Sequence, residues 1–238
     1  KLKCRSRMIY GSFLMFNDHI LRDRPKALIF DLDGTLLDTE PLYSIASQRV
    51  LDPFGLVYTD SLKKRAMGGD SRKSAQLVID EYKLPLNSDE YLKHRQIHLD
   101  NLFKNIPEIS GAKQFLMAVA QRGVKLGLAT SSSEQACTSK LADKIWRNLF
   151  DAKLFGDNRK LKRPKPAPDI FLLCAESLNI ARKDCIVFED SPNGIKGAVL
   201  AGMRVCALRS VFVQDDDLKL ANMLFSSFNE LLPFTQDW

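Results

Sequence analysis

ALIFDLDGTLLDT, residues Ala27 to Thr39, holds an apolar run that stops at Asp31, with a second carboxylate two positions on at Asp33. Four apolar residues bounded by polar ones read as a short buried strand, as in parallel sheets. Open α/β sheets bind ligands just beyond the carboxyl ends of their strands, which is where Asp31 and Asp33 fall. Carboxylates that close repel unless a cation sits between them or one is protonated. The pair therefore suits Mg²⁺ and acid/base work; the plainer alternative is a strand end and a turn at Gly34.

Three later segments bear on that choice. Val124 to Ser133, VKLGLATSSS, is another strand-like run, ending in Thr130 and three serines. Hydroxyls and free N–H groups at a strand end suit phosphate oxygens, and they equally suit a helix cap before Glu134. In RPKPAPDIF, Pro164, Pro166 and Pro168 stiffen the backbone around Lys165, since proline fixes its own φ and biases its predecessor towards extended geometry. A rigidly held ammonium is a good partner for phosphate, although a pre-helix loop has the same look. CIVFEDSPNG, Cys185 to Gly194, ends a third apolar run in Glu189 and Asp190. Adjacent carboxylates are costly at a buried strand end without a cation and unremarkable in water.

In order and chemistry together, these segments resemble the haloacid dehalogenase-like hydrolase superfamily. Its signature is DxDGT, a strand-end Ser or Thr, a Lys and an acidic pair. DLDGT at Asp31 to Thr35, Thr130, Lys165 and Glu189–Asp190 match it, over roughly Lys26 to the C-terminal end. The resemblance implies Asp31 as a nucleophile phosphorylated on its carboxylate, and Asp33 as the general acid/base. It implies a Mg²⁺ ion held by Asp31, the Asp33 backbone carbonyl and Asp190, with Glu189 a direct or water-mediated contributor. Thr130, Ser131 and the catalytic Lys165 would meet the phosphoryl group. Arg72 fits a cap arginine of one subgroup and stands as a further substrate-binding candidate.

Spacing predicts the architecture. About ninety residues separate DLDGT from Thr130, more than one βα unit needs. Pro41 opens a helix, Ser71 to Tyr82 places Ala75, Val78, Ile79 and Tyr82 on one face, and an amphipathic run spans Glu90 to Phe103. Three or four helices inserted there match a helical cap at 43–106, with Leu36 to Thr39 and Asn105 to Gly111 as hinges. Residues 26–42 and 107–238 read as alternating strands and helices: strands at 124–129, 152–155, 185–189, 204–208 and 223–225, helices from 134 and at 168–178 and 192–201. The expected fold is α/β, a doubly wound parallel, Rossmann-like sheet with a small α-helical cap. Residues 1–25 are expected to form a peripheral extension. Lys1 to Arg7 is basic and Met8 to Phe16 apolar, but that run is too short to span a bilayer and no small-residue cleavage site follows.

Composition narrows the partners. With 45% hydrophobic and 27% charged residues, the 238-residue chain can bury a substantial core. Its formal charge of +6 is concentrated in the N-terminal KLKCRSR and in Arg159 to Lys165. No basic helix interleaved with aromatics appears, so a phosphorylated metabolite, rather than nucleic acid or membrane, accounts for the charge. Five scattered cysteines without CxxC spacing fit reduced thiols in a cytoplasmic compartment; a monomer is the default expectation, independent of the sequence.

Within the superfamily the motifs resemble capped phosphatases of the pseudouridine-5′-phosphatase and 2-deoxyglucose-6-phosphatase kind. β-Phosphoglucomutase is the competitor; it has a cap histidine where this chain reads Pro41-Leu42-Tyr43-Ser44. The expectation is a Mg²⁺-dependent phosphomonoester hydrolase acting on a sugar phosphate or nucleoside monophosphate. Mutase chemistry and a catalytically silent phosphate-binding relative are the alternatives. In the cap, His94, Arg95 and His98 are further positions to inspect.

Overall fold

A computed structural model describes residues 20–66, 71–211 and 213–238. Six strands form one parallel sheet: β1 (Ala27–Phe30), β2 (Lys125–Ala129), β3 (Ala152–Leu154), β4 (Cys185–Glu189), β5 (Arg204–Leu208) and β6 (Met223–Phe225), in the order β3-β2-β1-β4-β5-β6. The chain steps outward from β1 to β3, then crosses back to lay β4 on the other side of β1. Asp31 follows directly on β1 at this switch point, where open sheets bind ligands.

Strand alternation separates two cores. Leu28 and Phe30, with Leu128 and Phe188, face α5 (Ala112–Gln121) and the C-terminal segment around Phe228. Phe30 and Phe188 stack there with centroids 4.8 Å apart. Ala27 and Ile29, with Val187 and Ala207, face α7 (Asp169–Ser177) and α8 (Pro192–Leu200). Both faces of the central strands are covered, so β1 and the Cys185–Phe188 part of β4 are continuous apolar runs, whereas the edge strand β3 exposes Lys153. α6 (Glu134–Lys140) follows β2, capped by the Ser133 hydroxyl, which accepts from the N–H of Ala136.

The insertion folds as α1 (Glu40–Leu51), α2 (Asp60–Ala66), α3 (Ser71–Tyr82) and α4 (Ser88–Leu102), around a separate cluster including Val50, Leu62, Val78 and Tyr91. α1 starts three residues before the expected cap boundary, with Pro41 in its first turn. α4 also starts before Glu90: Asn87 and Glu90 form a reciprocal capping box, satisfying two N–H groups of the helix start. The two linkers pair with each other. Asp38 N donates to Pro107 O at 2.9 Å and Ile109 N to Leu36 O at 3.0 Å, bracketing an antiparallel bridge between Leu37 and Glu108.

Ile20 and Leu21 depart from the peripheral reading of the extension, whereas Arg22, Asp23 and Arg24 are exposed. Ile20 and Leu21 are buried in the first core, and the Leu21 carbonyl accepts from the Trp238 indole at 2.9 Å. Apolar side chains that can reach this core gain more from burial than from solvent. The basic and apolar stretches of residues 1–16 lie outside the described residues. No helix among the described residues is long and apolar enough to cross a membrane.

Candidate active site

The carboxyl ends of β1, β2 and β4 and the cap helices enclose a cavity of about 620 Å³. Asp31, Asp33, Thr130, Ser131, Lys165 and Asp190 all line it, so residues scattered over the sequence meet in one place.

Lys165 is buried at its centre; the Lys165–Pro166 peptide is cis. Its ammonium donates to Asp31 Oδ1 at 2.5 Å, Glu189 Oε1 at 2.6 Å and the Ala129 carbonyl at 3.0 Å. An ammonium has three hydrogens, so the protein accepts all of them. Lys165 therefore first neutralises Asp31, and meeting a phosphoryl oxygen would require giving up one of these bonds.

Glu189 is bound within the protein through both of its oxygens, Oε1 to Lys165. Its other oxygen accepts from the backbone N–H groups of Asp190 and Ser191, at 3.1 Å each, and from the Ser191 hydroxyl at 2.9 Å. Through these bonds Glu189 orients Lys165 and the turn into α8. Gly194 is what leaves it room. A Cβ there would lie 1.8 Å from Glu189 Oε1. Gly194→Ala is accordingly expected to displace Glu189 and lower the unfolding midpoint by about 3–10 °C, measured by thermal unfolding, with turnover falling in parallel.

Gly34 and Thr35 serve Asp190. Gly34 has φ +83°, and a Cβ on it would lie 2.3 Å from Asp190 Oδ2. Only glycine takes that backbone easily while letting the carboxylate approach. The buried Thr35 hydroxyl donates to Asp190 Oδ1 at 2.7 Å. The G and T of DLDGT are thus packing requirements of the acidic residue at the end of β4.

Electrostatics at the floor are unbalanced. Four carboxylates, Asp31, Asp33, Glu189 and Asp190, face two ammonium groups, Lys165 and Lys140, leaving two negative charges in surplus. Burial is the main cause that pushes Asp31 up to about 7, with Lys165 opposing and Glu189 and Asp33 adding. Burial, then Glu189 and Asp31, likewise raises Asp190 well above the carboxylate range. A divalent cation would cancel this surplus. His, Cys, Asp and Glu side chains alone form no cluster of three in metal-holding geometry among the described residues. The set that fits Mg²⁺ is two carboxylates, Asp31 and Asp190, the Asp33 carbonyl and waters, in keeping with the ion's habit of retaining water.

Thr130 and Ser131 line the cavity as expected. Thr130 is buried, and its hydroxyl accepts from the N–H of Ser132 at 3.1 Å, which shapes the serine loop. Ser132 carries more than the sequence indicated: its hydroxyl donates to Asp33 Oδ2 at 2.7 Å. Lys140 was missed altogether. It reaches Asp33 Oδ1 at 2.5 Å from the end of α6. Its sequence signal is Cys137, Lys140 and Leu141 on one short helix face, which points the lysine inward with two apolar residues.

Arg72 is not brought to the cavity. Its side chain is 70% exposed and pairs with Asp89 at 2.7 Å, because the first turn of α3 faces α4 there; Gly68 to Asp70 lie outside the described residues. Arg95 is the cap arginine that does line the cavity, its guanidinium carbon 5.5 Å from the centroid of the Tyr43 ring and its Nε buried without a hydrogen-bond partner. His94 and His98 do not line it.

Residues 28–208 match the family model of the haloacid dehalogenase-like hydrolases. The chain belongs to that family. Among its relatives, a probable pseudouridine-5′-phosphatase of Drosophila melanogaster is 34% identical over 209 residues, covering 86% of this chain and 90% of that protein. A phosphorylated carbohydrates phosphatase of Thermotoga maritima is 34% identical over 179 residues, 75% of this chain and 82% of that one. A solved structure from Thermotoga maritima, provisionally named beta-phosphoglucomutase, superposes with a TM-score of 0.75 at 30% identity, covering 89% of this chain and 99% of that one. This haloacid dehalogenase-like hydrolase is a phosphatase of the family, with the parallel sheet and helical cap its motifs implied.

Proposed function

We propose that the protein is a Mg²⁺-dependent phosphomonoester hydrolase of small phosphorylated metabolites, sugar phosphates or nucleoside monophosphates, working through an aspartyl-phosphate. The observation that carries this is the convergence of Asp31, Asp33, Thr130, Lys165 and Asp190 on one cavity. Relatives named for a nucleotide and for phosphorylated carbohydrates support the substrate class.

In the first step an Asp31 carboxylate oxygen attacks phosphorus in line, the bond from phosphorus to the ester oxygen breaks, and Asp33 gives that oxygen its proton. In the second, water attacks the phosphorus of the acyl phosphate and loses its proton to Asp33, freeing phosphate and restoring Asp31. Splitting the reaction this way replaces one hard displacement by two easier ones. Asp31, the Asp33 carbonyl and Asp190 would hold Mg²⁺, which when bound supplies charge neutralisation on the phosphoryl oxygens. Thr130 and Ser131 orient those oxygens, and the cap excludes water while the ester is cleaved. Arg95, on the cap side of the cavity, would meet the leaving group. We take the protein as a cytoplasmic monomer without nucleic-acid or membrane partners; the four described cysteines are free and buried, as suits a reducing compartment.

The test is phosphate release from glucose 6-phosphate, fructose 1-phosphate, glycerol 3-phosphate and 5′-nucleoside monophosphates, with Mg²⁺ or EDTA. Release from at least one ester that EDTA abolishes and Mg²⁺ restores is expected. Conversion of β-glucose 1-phosphate to glucose 6-phosphate without net release would make it a mutase. Silence in both assays would leave a phosphate-binding role.

A further inference from the structure

Lys140 has no part in the superfamily signature, yet it is one of the most completely enclosed charges in the molecule, with its side chain 1% exposed. Burying an ammonium is costly unless its hydrogens find acceptors. All three do: Asp33 Oδ1 at 2.5 Å, Ser132 Oγ at 2.9 Å and the Tyr43 hydroxyl at 3.3 Å. Ser132 also donates to the second oxygen of Asp33, so lysine and serine together clamp both ends of that carboxylate.

Its remaining surroundings come from the root of the cap. The ammonium lies 4.9 Å from the centroid of the Phe103 ring and 5.6 Å from that of Tyr43, within cation–π range. Tyr43 belongs to α1, just after the first linker; Phe103 follows α4, just before the second. One side chain of the sheet domain thus touches the Asp33 carboxylate, the serine loop and both ends of the inserted domain.

We propose that Lys140 is a positioning residue: it holds the Asp33 carboxyl in line with the leaving oxygen, and the cap holds Lys140 through Tyr43 and Phe103. This rests on Asp33 being the proton donor. A carboxyl left to rotate meets the leaving oxygen in only a fraction of encounters, and proton transfer requires hydrogen-bond reach. Methionine at the position would keep the apolar stem and lose the clamp. Asp33 lines the open cavity and would remain hydrated, so the substitution strands no charge in the core.

Leaving-group dependence separates positioning from general damage. An alkoxide needs the proton; p-nitrophenolate leaves without it. The value of kcat/KM reports only the steps up to departure of the leaving group, so slow breakdown of the acyl phosphate does not enter. Lys140→Met is expected to lower kcat/KM for the fastest-cleaved alkyl ester of the panel by about 100-fold or more, and that for p-nitrophenyl phosphate by less than about 10-fold. Tyr43→Phe, which removes one acceptor, should show the same bias at a few-fold scale. Equal losses on both esters, or no loss, would overturn the proposal. If Lys140→Met does not fold, Tyr43→Phe decides alone: a biased loss supports the proposal and an unbiased one or none refutes it. The wild-type rates report on the hydrolase reading by themselves. A wild type inactive on both esters would overturn that reading and this proposal with it.

Discussion

Asp31→Asn is expected to cut phosphate release by about 10⁴-fold or more, as removal of a covalent nucleophile does. An amide oxygen is too weakly nucleophilic to form the acyl phosphate, so no intermediate accumulates. The fold should survive. Asn matches Asp in shape, and its carbonyl can still accept from Lys165, whose contact with Asp31 Oδ1 is 2.5 Å. The sign of the stability change follows from the charge surplus. Because burial has pushed Asp31 up to about 7, its ionised form costs free energy at neutral pH in the absence of a cation. A neutral isostere removes that cost, so in EDTA the variant should unfold at the same temperature as the wild type or above it. Residual Mg²⁺-dependent release at the wild-type rate would exclude Asp31 as nucleophile.

Lys165→Met should damage both activity and stability. Lys165 lies between Asp31 and Glu189, whose side chains are 9% and 1% exposed. Removing the ammonium leaves two facing carboxylates without their counter-charge, a loss of about 3–5 kcal/mol for one partner of a buried pair. The variant should therefore unfold at markedly lower denaturant, and EDTA should deepen the defect because both sources of positive charge are then gone. Turnover should fall steeply as well, since an anionic phosphate would meet an unneutralised nucleophile. A variant with wild-type stability and reduced turnover would make Lys165 a substrate contact alone, without its role as internal counter-ion.

These two outcomes bear on how much the chain disclosed before its fold was known. The strands were legible because parallel strands covered on both faces are uninterrupted apolar runs: Ala27–Phe30 and Cys185–Glu189 have their expected bounds. The helix starts were less so. At α4 the deciding group is Asn87, whose side chain accepts from Glu90 N at 3.0 Å, a local bond that an apolar periodicity does not register. Arg72 and Arg95 show the limit of motif transfer. Both are cap arginines, but α3 turns one towards Asp89 while α4 turns the other to the cavity. Which of two helices faces the core depends on packing between helices, and the spacing within either one is silent on it.

By itself the sequence determined the parallel sheet, the insertion after the first strand and the order of chemistry along the strand ends, because hydrophobic periodicity and abrupt apolar-to-acidic boundaries are local properties. The tertiary structure alone decided the partners. It committed Glu189 to Lys165 and the turn into α8, made Gly34 and Gly194 spaces for carboxylates, and brought Lys140 to Asp33 across 107 residues of chain. Those pairings follow from which strand ends lie side by side and from the demand that each buried charge find an acceptor or counter-charge, and both conditions arise only once the chain is folded.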